Sequence, residues 1–238
     1  MIREYHKRYS AQLHREMELL VFGHAGTPVV VFPTSKGRFF DYEDRGMIAA
    51  IAHKYESGAM QAFCVDSVDA ESWYNKQAHP RDRVLRHLQY EDYLVKELIP
   101  FVRSKNQAAG LAVTGCSFGG YHTINFALRH PDLVSHAVSM GAAFDIHQFL
   151  DGYYDTNCYY NCPPDYLPNL NDEWYLSRYA TKTKLVLATG ERDICLEENI
   201  RLGRIMDSKQ IPHWLDVWGD GAGHDWPWWQ NMVKTFFG

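Results

Sequence analysis

Ser117 sits in Gly115-Cys116-Ser117-Phe118-Gly119, a G-x-S-x-G pattern. A serine hydroxyl is a poor nucleophile until a base takes its proton, and that base must be oriented by an acid. Such a trio carries acyl-group chemistry. The glycines have a physical reason: the serine of this pattern stands on a sharp strand-to-helix turn, where flanking side chains would collide with neighbouring elements. The pattern alone says little. With Gly and Ser each near 7% of residues, a chain of this length meets it by chance about 8% of the time. Context raises it. Leu111–Thr114 reads as a strand just before, Tyr121–Leu128 as a helix just after, and Gly120 adds a small residue where the two must approach. The segment has neither the Gly-Lys-Ser/Thr ending nor the G-x-G-x-x-G spacing of a phosphate-cradling loop.

On this kind of scaffold the chain order is Ser, then Asp or Glu, then His. Asp193 follows the apolar run Lys184–Thr189 through Gly190-Glu191-Arg192, at the C-terminal end of an expected strand. Glu191, two residues earlier, is its rival. Asp220 and Asp225 lie on the histidine's own loop, poorly placed for its far nitrogen. His224 follows Trp214–Trp218 through the glycine-rich Gly219–Gly223, ahead of the last helix. His130, His136 and His147 come too early for this order, and His213 sits beside a proline before a strand. The expected catalytic set is therefore Ser117, Asp193 and His224. An oxyanion needs backbone N–H donors. Phe118, the residue after the nucleophile, is one. The second is expected from Thr34-Ser35-Lys36-Gly37, with Ser35 preferred to Thr34. Cys116 should point away from the open side of the turn. Thr34, Trp226, Tyr153 and Tyr154 are candidates for the substrate pocket.

These residues need elements to hold them. Glu16–Gly23, Pro28–Pro33, Met60–Val65, Leu111–Thr114, Val134–Met140, Lys184–Thr189 and Trp214–Trp218 read as strands. The run Pro28–Pro33 is apolar throughout, as expected of a strand buried on both faces. Helical spacing marks Tyr42–Tyr55, Tyr90–Val102, Tyr121–His130, Glu197–Lys209 and Trp226–Phe237. Alternating strands and helices imply an α/β fold, a mostly parallel sheet covered on both faces. Phe144–Trp174 breaks the rhythm. It is rich in Tyr, Asn, Asp and Pro, and its tyrosines argue against disorder. It reads as an insert (144–174) over the C-terminal edge of the sheet, a lid or pocket wall within a single domain spanning 1–238.

The 238 residues carry a net charge of −5 with 46% hydrophobic residues, which suits one globular domain. The bases are scattered, so nucleic acid is not an expected partner. No apolar stretch is long enough to span a membrane, and no signal peptide is visible. The five cysteines are odd in number and point to free thiols and a cytoplasmic location. Cys158-x-x-x-Cys162 has no second pair, so no metal site is expected. The oligomeric state is open.

Taken together, Gly115–His122, Gly190–Asp193 and Gly223-His224-Asp225-Trp226-Pro227-Trp228-Trp229 resemble the putative esterase family, which includes the S-formylglutathione hydrolases and the mycobacterial mycolyltransferase antigens. The resemblance runs from about Leu19 to Phe237. It implies an α/β-hydrolase fold, carboxylic-ester chemistry on a small-molecule ester, no metal and no organic cofactor. Carried over by position, it supports Ser117, Asp193, His224 and Phe118. Two departures stand out. Cys116 and Tyr121-His122-Thr123 replace the His and His-Gly-Ala of S-formylglutathione hydrolases, and Pro33–Gly37 is not the usual His-Gly oxyanion motif. An esterase is the leading expectation. An acyltransferase using the same trio, and a non-catalytic binding module, are the alternatives.

Overall fold

The computed structural model describes all 238 residues. Eight strands form one sheet in the order β1-β2-β4-β3-β5-β6-β7-β8. They are β1 (Arg3–Ser10), β2 (Arg15–Phe22), β3 (Thr27–Phe32), β4 (Met60–Val65), β5 (Ala112–Cys116), β6 (His136–Met140), β7 (Lys184–Arg192) and β8 (Trp214–Gly223). The pairs β1/β2 and β2/β4 are antiparallel, and every pair from β4/β3 to β7/β8 is parallel. The helices are α1 (Asp41–Asp44), α2 (Met47–Ala50), α3 (Ala52–Glu56), α4 (Pro80–Tyr93), α5 (Ile99–Lys105), α6 (Phe118–Arg129), α7 (Thr156–Tyr159), α8 (Pro163–Tyr166), α9 (Glu173–Thr181), α10 (Leu196–Ser208) and α11 (Trp226–Phe237). This is the expected α/β-hydrolase-like sheet.

Successive residues of a strand point to opposite faces, and β3 divides its side chains accordingly. Val30 and Phe32 join a core built with Tyr90, Ile124, Phe126, Leu202 and Met206 from α4, α6 and α10. Val29 and Val31 join a second core with Tyr42, Met47, Trp229, Met232 and Val233 from α1, α2 and α11. Both faces are thus covered, which explains the uninterrupted apolar run.

Four expectations change. β1 carries no apolar alternation, because it is an edge strand on which only Ser10 is buried. The helix expected over Tyr42–Tyr55 is three short pieces. Gly46 adopts a left-handed φ of 73°, and Ile51 leaves helical geometry at φ −129°, ψ 31°. The helix expected at Tyr90 starts ten residues earlier, at Pro80, where the His79 side chain accepts the Arg81 N–H as an N-cap. It runs through a π-turn at Leu94–Leu98 into α5. The insert is not wholly irregular. It holds α7, α8 and two 3-10 turns. Its Ile146, Phe149, Leu150, Cys158 and Cys162 form a small third core with Trp73, Val84, Phe118 and Tyr121, so it packs beside the start of α6.

Candidate active site

Ser117 links β5 to α6 with φ 54° and ψ −123°, a conformation L-residues rarely adopt. Close packing explains the glycines. A Cβ on Gly115 would lie 2.4 Å from the Gly119 backbone, and one on Gly119 would lie 2.6 Å from the carbonyl oxygens of Phe32 and Pro33. The Ser117 N–H donates to Met140 O (2.9 Å), tying the turn to the neighbouring strand.

β7 and β8 run past their expected ends, Thr189 and Trp218, to Arg192 and Gly223. Asp193 and His224 follow directly. The Ser117 hydroxyl lies 3.0 Å from His224 Nε2, and His224 Nδ1 lies 2.9 Å from Asp193 Oδ1. With Nδ1 protonated, the imidazole donates to the carboxylate and accepts from the serine. The Asp193 carboxylate is fully buried, while the imidazole keeps 19% of its surface in solvent. Asp193 Oδ1 also accepts from the Cys195 N–H at 2.8 Å. Two of the three rival acids are engaged elsewhere. Glu191 accepts from Gly221 N, and Asp225 caps α11 through Trp226 N.

The turn after β3 separates Thr34 from Ser35. Thr34 gives both its N–H and its hydroxyl to Asp41 Oδ2 (3.1 and 2.8 Å). Lys36, at φ 56°, donates its N–H to Asp69 Oδ2 at 3.3 Å, and Gly37 N–H goes to Thr34 O. The Ser35 N–H has no protein acceptor. The close approach of Gly119 to Pro33 sets this turn beside the first residue of α6, Phe118, whose N–H precedes the helix ladder.

Sequence reasoning missed several neighbours of the site. The Tyr74 hydroxyl donates to Ser35 Oγ at 2.7 Å, and burial raises its pKa. Its ring lies edge-on to Phe118 (5.3 Å) and 4.8 Å from Phe149. The only sequence signal was the aromatic character of the loop Asp66–Pro80. Asp69 and His122 form a buried hydrogen bond of 2.8 Å under Phe118. His122 lies one turn beyond Phe118 on α6, and no spacing rule links it to Asp69. Trp229 is edge-on to His224 at 4.9 Å.

The pocket candidates fare unevenly. Trp226 packs against Trp229 and under the Arg45 guanidinium. Tyr153 bonds Asp155 and faces His79, and Tyr154 stacks on His147 and bonds Asp165. These contacts tie both tyrosines to the insert, and Tyr153 also to the N-cap of α4, whereas the insert residue Phe149 meets Phe118. Cys116 is buried, and burial holds its thiol far above the usual range. A cavity of about 620 Å³ lies at the far end of α6, lined by Arg129, Tyr160 and Tyr175, and Ser117 is not part of it. Two groups offer three metal-type donors within 4.8 Å of one another: Asp145, His147 and Cys162 on the insert, and Asp193, Cys195 and His224 here.

The profile described as Putative esterase matches residues 41–235. No curated protein matches the sequence. Among solved structures, a ferulic acid esterase superposes with a TM-score of 0.79 at 17% identity, covering 99% of this chain and 96% of that one. S-formylglutathione hydrolase from Staphylococcus aureus gives 0.65 at 18% identity over 98% and 96%. MPT51 from Mycobacterium tuberculosis gives 0.63 at 15% identity over 99% and 96%. At these identities the likeness is one of fold.

Proposed function

The chain belongs to the Putative esterase family, and from that premise we propose that it is a serine esterase acting on small-molecule carboxylic esters through Ser117, His224 and Asp193. The observation that carries the reading is the continuous hydrogen-bonded chain from Ser117 Oγ through His224 to the buried Asp193 carboxylate.

His224 Nε2 takes the hydroxyl proton as Ser117 Oγ attacks the ester carbonyl carbon. The resulting oxyanion accepts from the N–H groups of Phe118 and Ser35, placed to stabilise charge that develops only in the transition state. The engagement of Thr34 N–H by Asp41 favours Ser35 as the second donor. The imidazolium then gives its proton to the departing alcohol, leaving an acyl-enzyme. A water attacks that ester, passing a proton to His224, and as the intermediate collapses His224 returns the proton to Ser117 Oγ, releasing the acid. Asp193 holds the tautomer and stabilises the imidazolium.

Phe149, Tyr74 and Phe118 make an apolar wall beside this site. We assign that wall, including its insert residue Phe149, to the substrate pocket. Such a wall also suits an alcohol as acyl acceptor in place of water, and product analysis with an added alcohol measures the transfer share. Five free, buried cysteines suit the cytoplasm. No helix is long and apolar enough to cross a membrane. The test of the reading is a fluorophosphonate probe together with hydrolysis of short-chain aryl esters. Wild type is labelled and active, and Ser117→Ala is neither. A Ser117→Ala protein with full hydrolysis would overturn it.

A further inference from the structure

Cys195 stands two residues after Asp193, at the end of the loop that leads into α10. It has no part in the ester chemistry. Yet its sulfur, a carboxylate oxygen of Asp193 and a ring nitrogen of His224 lie within 4.8 Å of one another. The ring nitrogen that faces Asp193 is Nδ1. A second observation concerns the carboxylate. Its Oδ1 is shared by His224 and the Cys195 N–H, whereas Oδ2, fully buried, has no hydrogen-bond partner. A buried charged oxygen without a partner is costly, and a cation would satisfy it.

We propose that Asp193, Cys195 and His224 form an inhibitory site for a thiophilic divalent cation, of which Zn²⁺ is the type. The donor set is one thiolate, one carboxylate and one imidazole, with a fourth tetrahedral position left for water. Sulfur in the set selects Zn²⁺ or Cd²⁺ and disfavours Mg²⁺ and Ca²⁺, which prefer all-oxygen shells. The atoms balance simply. Zn²⁺ takes the Nδ1 lone pair, and the proton held there moves to Nε2. The Cys195 thiol releases one proton to solvent, and the carboxylate is already ionised. With a proton on Nε2, His224 cannot accept the Ser117 proton. The same Asp193 and His224 thus serve the esterase when the cation is absent and the cation when it is present. The inhibition rests on the serine-esterase reading, whereas the metal site itself does not.

The test has two arms. In the first, Zn²⁺ is titrated against aryl-ester hydrolysis by wild type and by Cys195→Ala, each scaled to its own metal-free rate; the substitution removes the sulfur and keeps the backbone N–H that Asp193 accepts. Wild type is expected to lose activity at micromolar Zn²⁺ and to regain it with EDTA, and Cys195→Ala is expected to need at least about tenfold more. In the second, Co²⁺ is added to Ser117→Ala protein, with and without Cys195→Ser. A thiolate-to-cobalt charge-transfer band that vanishes with Cys195→Ser supports the site whatever the fate of the esterase reading. Equal Zn²⁺ sensitivity of wild type and Cys195→Ala, or no cysteine-dependent cobalt band, overturns it. If Cys195→Ala does not fold, the cobalt comparison between Ser117→Ala and its Cys195→Ser partner decides, and a band that is absent or that survives Cys195→Ser overturns the proposal.

Discussion

Arg192 and Gly223 are partners on the last rung shared by β7 and β8, and Asp193 and His224 are the residues that follow them. Two adjacent parallel strands therefore deliver Asp193 and His224 from the same level of the sheet. Their separation is set by strand spacing rather than by loop conformation. A register irregularity between Gly190 and Arg192 makes this rung possible. Gly190 fits there because a Cβ on it would lie 2.2 Å from Ala222 O. Ser117 is added from the other side by β5, so three strands fix three groups with little left to side-chain entropy.

Asp193→Asn tests the acid directly. The amide keeps the shape but favours the wrong imidazole tautomer, and kcat is expected to fall by about 10³–10⁴ with KM little changed. Glu191→Gln should alter kcat by less than about threefold, because Glu191 is engaged with Gly221 N. Steady-state kinetics on an aryl ester separates the two. A large loss with Glu191→Gln and a small one with Asp193→Asn would move the acid's role to Glu191.

Gly141→Ala probes how tightly the site is packed. Gly141 has φ 59°, and a Cβ there would lie 2.6 Å from Asp193 Oδ2 and 2.9 Å from Trp229 Nε1. An alanine strains the backbone by about 1–2 kcal/mol and pushes on the acid. The expected outcome is a folded protein with kcat reduced at least about tenfold, since small displacements are costly in such sites. Thermal melting and kcat are measured together. A variant with wild-type kcat would show that Asp193 has room to spare.

Asp69 links the two segments proposed to hold the oxyanion, accepting from Lys36 N–H on one side and bonding His122 of α6 on the other. Asp69→Ala is expected to lower kcat about 10- to 100-fold with KM within about threefold, a fraction of what losing a whole donor costs. Asp69→Asn still offers an acceptor to Lys36 and a donor to His122, so it should restore most of kcat. Proportional changes in kcat and KM, or no rescue by asparagine, would mean that Asp69 serves only the fold.

Ser117 and His224 stood out in the sequence as candidates for nucleophile and base because they obey local rules. A glycine-flanked serine follows a strand, and a histidine follows a glycine-rich stretch in the right chain order. Asp193 was legible only against Glu191, and the choice depended on where β7 ends, which apolar periodicity does not mark. The extension of β8 through Gly219–Gly223 was hidden because glycine carries no strand pattern. β1 was hidden because an exposed edge strand needs no apolar face. Tyr74, Asp69 and Phe149 were out of reach for another reason. They meet the site through contacts across 39, 53 and 31 positions of sequence, which no local spacing encodes.

The same buried network makes the fold sensitive to acid. His87 is buried, with Nε2 3.0 Å from Asn161 Oδ1 and its ring stacked on His122 at 5.6 Å. Burial, helped by His122, lowers its pKa from 6.5 to about 3. The folded state therefore keeps it neutral between those values, while the unfolded chain binds a proton. The unfolded state holds more protons throughout that window, so stability is complete above about pH 6.5 and is lost as pH falls towards 3. His136, lowered by burial, acts in the same direction. Glu91 opposes its own burial with hydrogen bonds from His130 and Arg129, which bring it from 4.5 to about 2. It therefore adds its loss only below about pH 4.5, so the loss above that comes from the histidines, against which Asp66, raised by burial, works as it takes up its proton. Each histidine gives a slope of at most about 1.4 kcal/mol per pH unit there. Denaturant unfolding at a series of pH values reads that slope. His87→Asn should flatten it relative to wild type even if it lowers stability at pH 8. An unchanged slope would show that the histidine takes up its proton in the folded state.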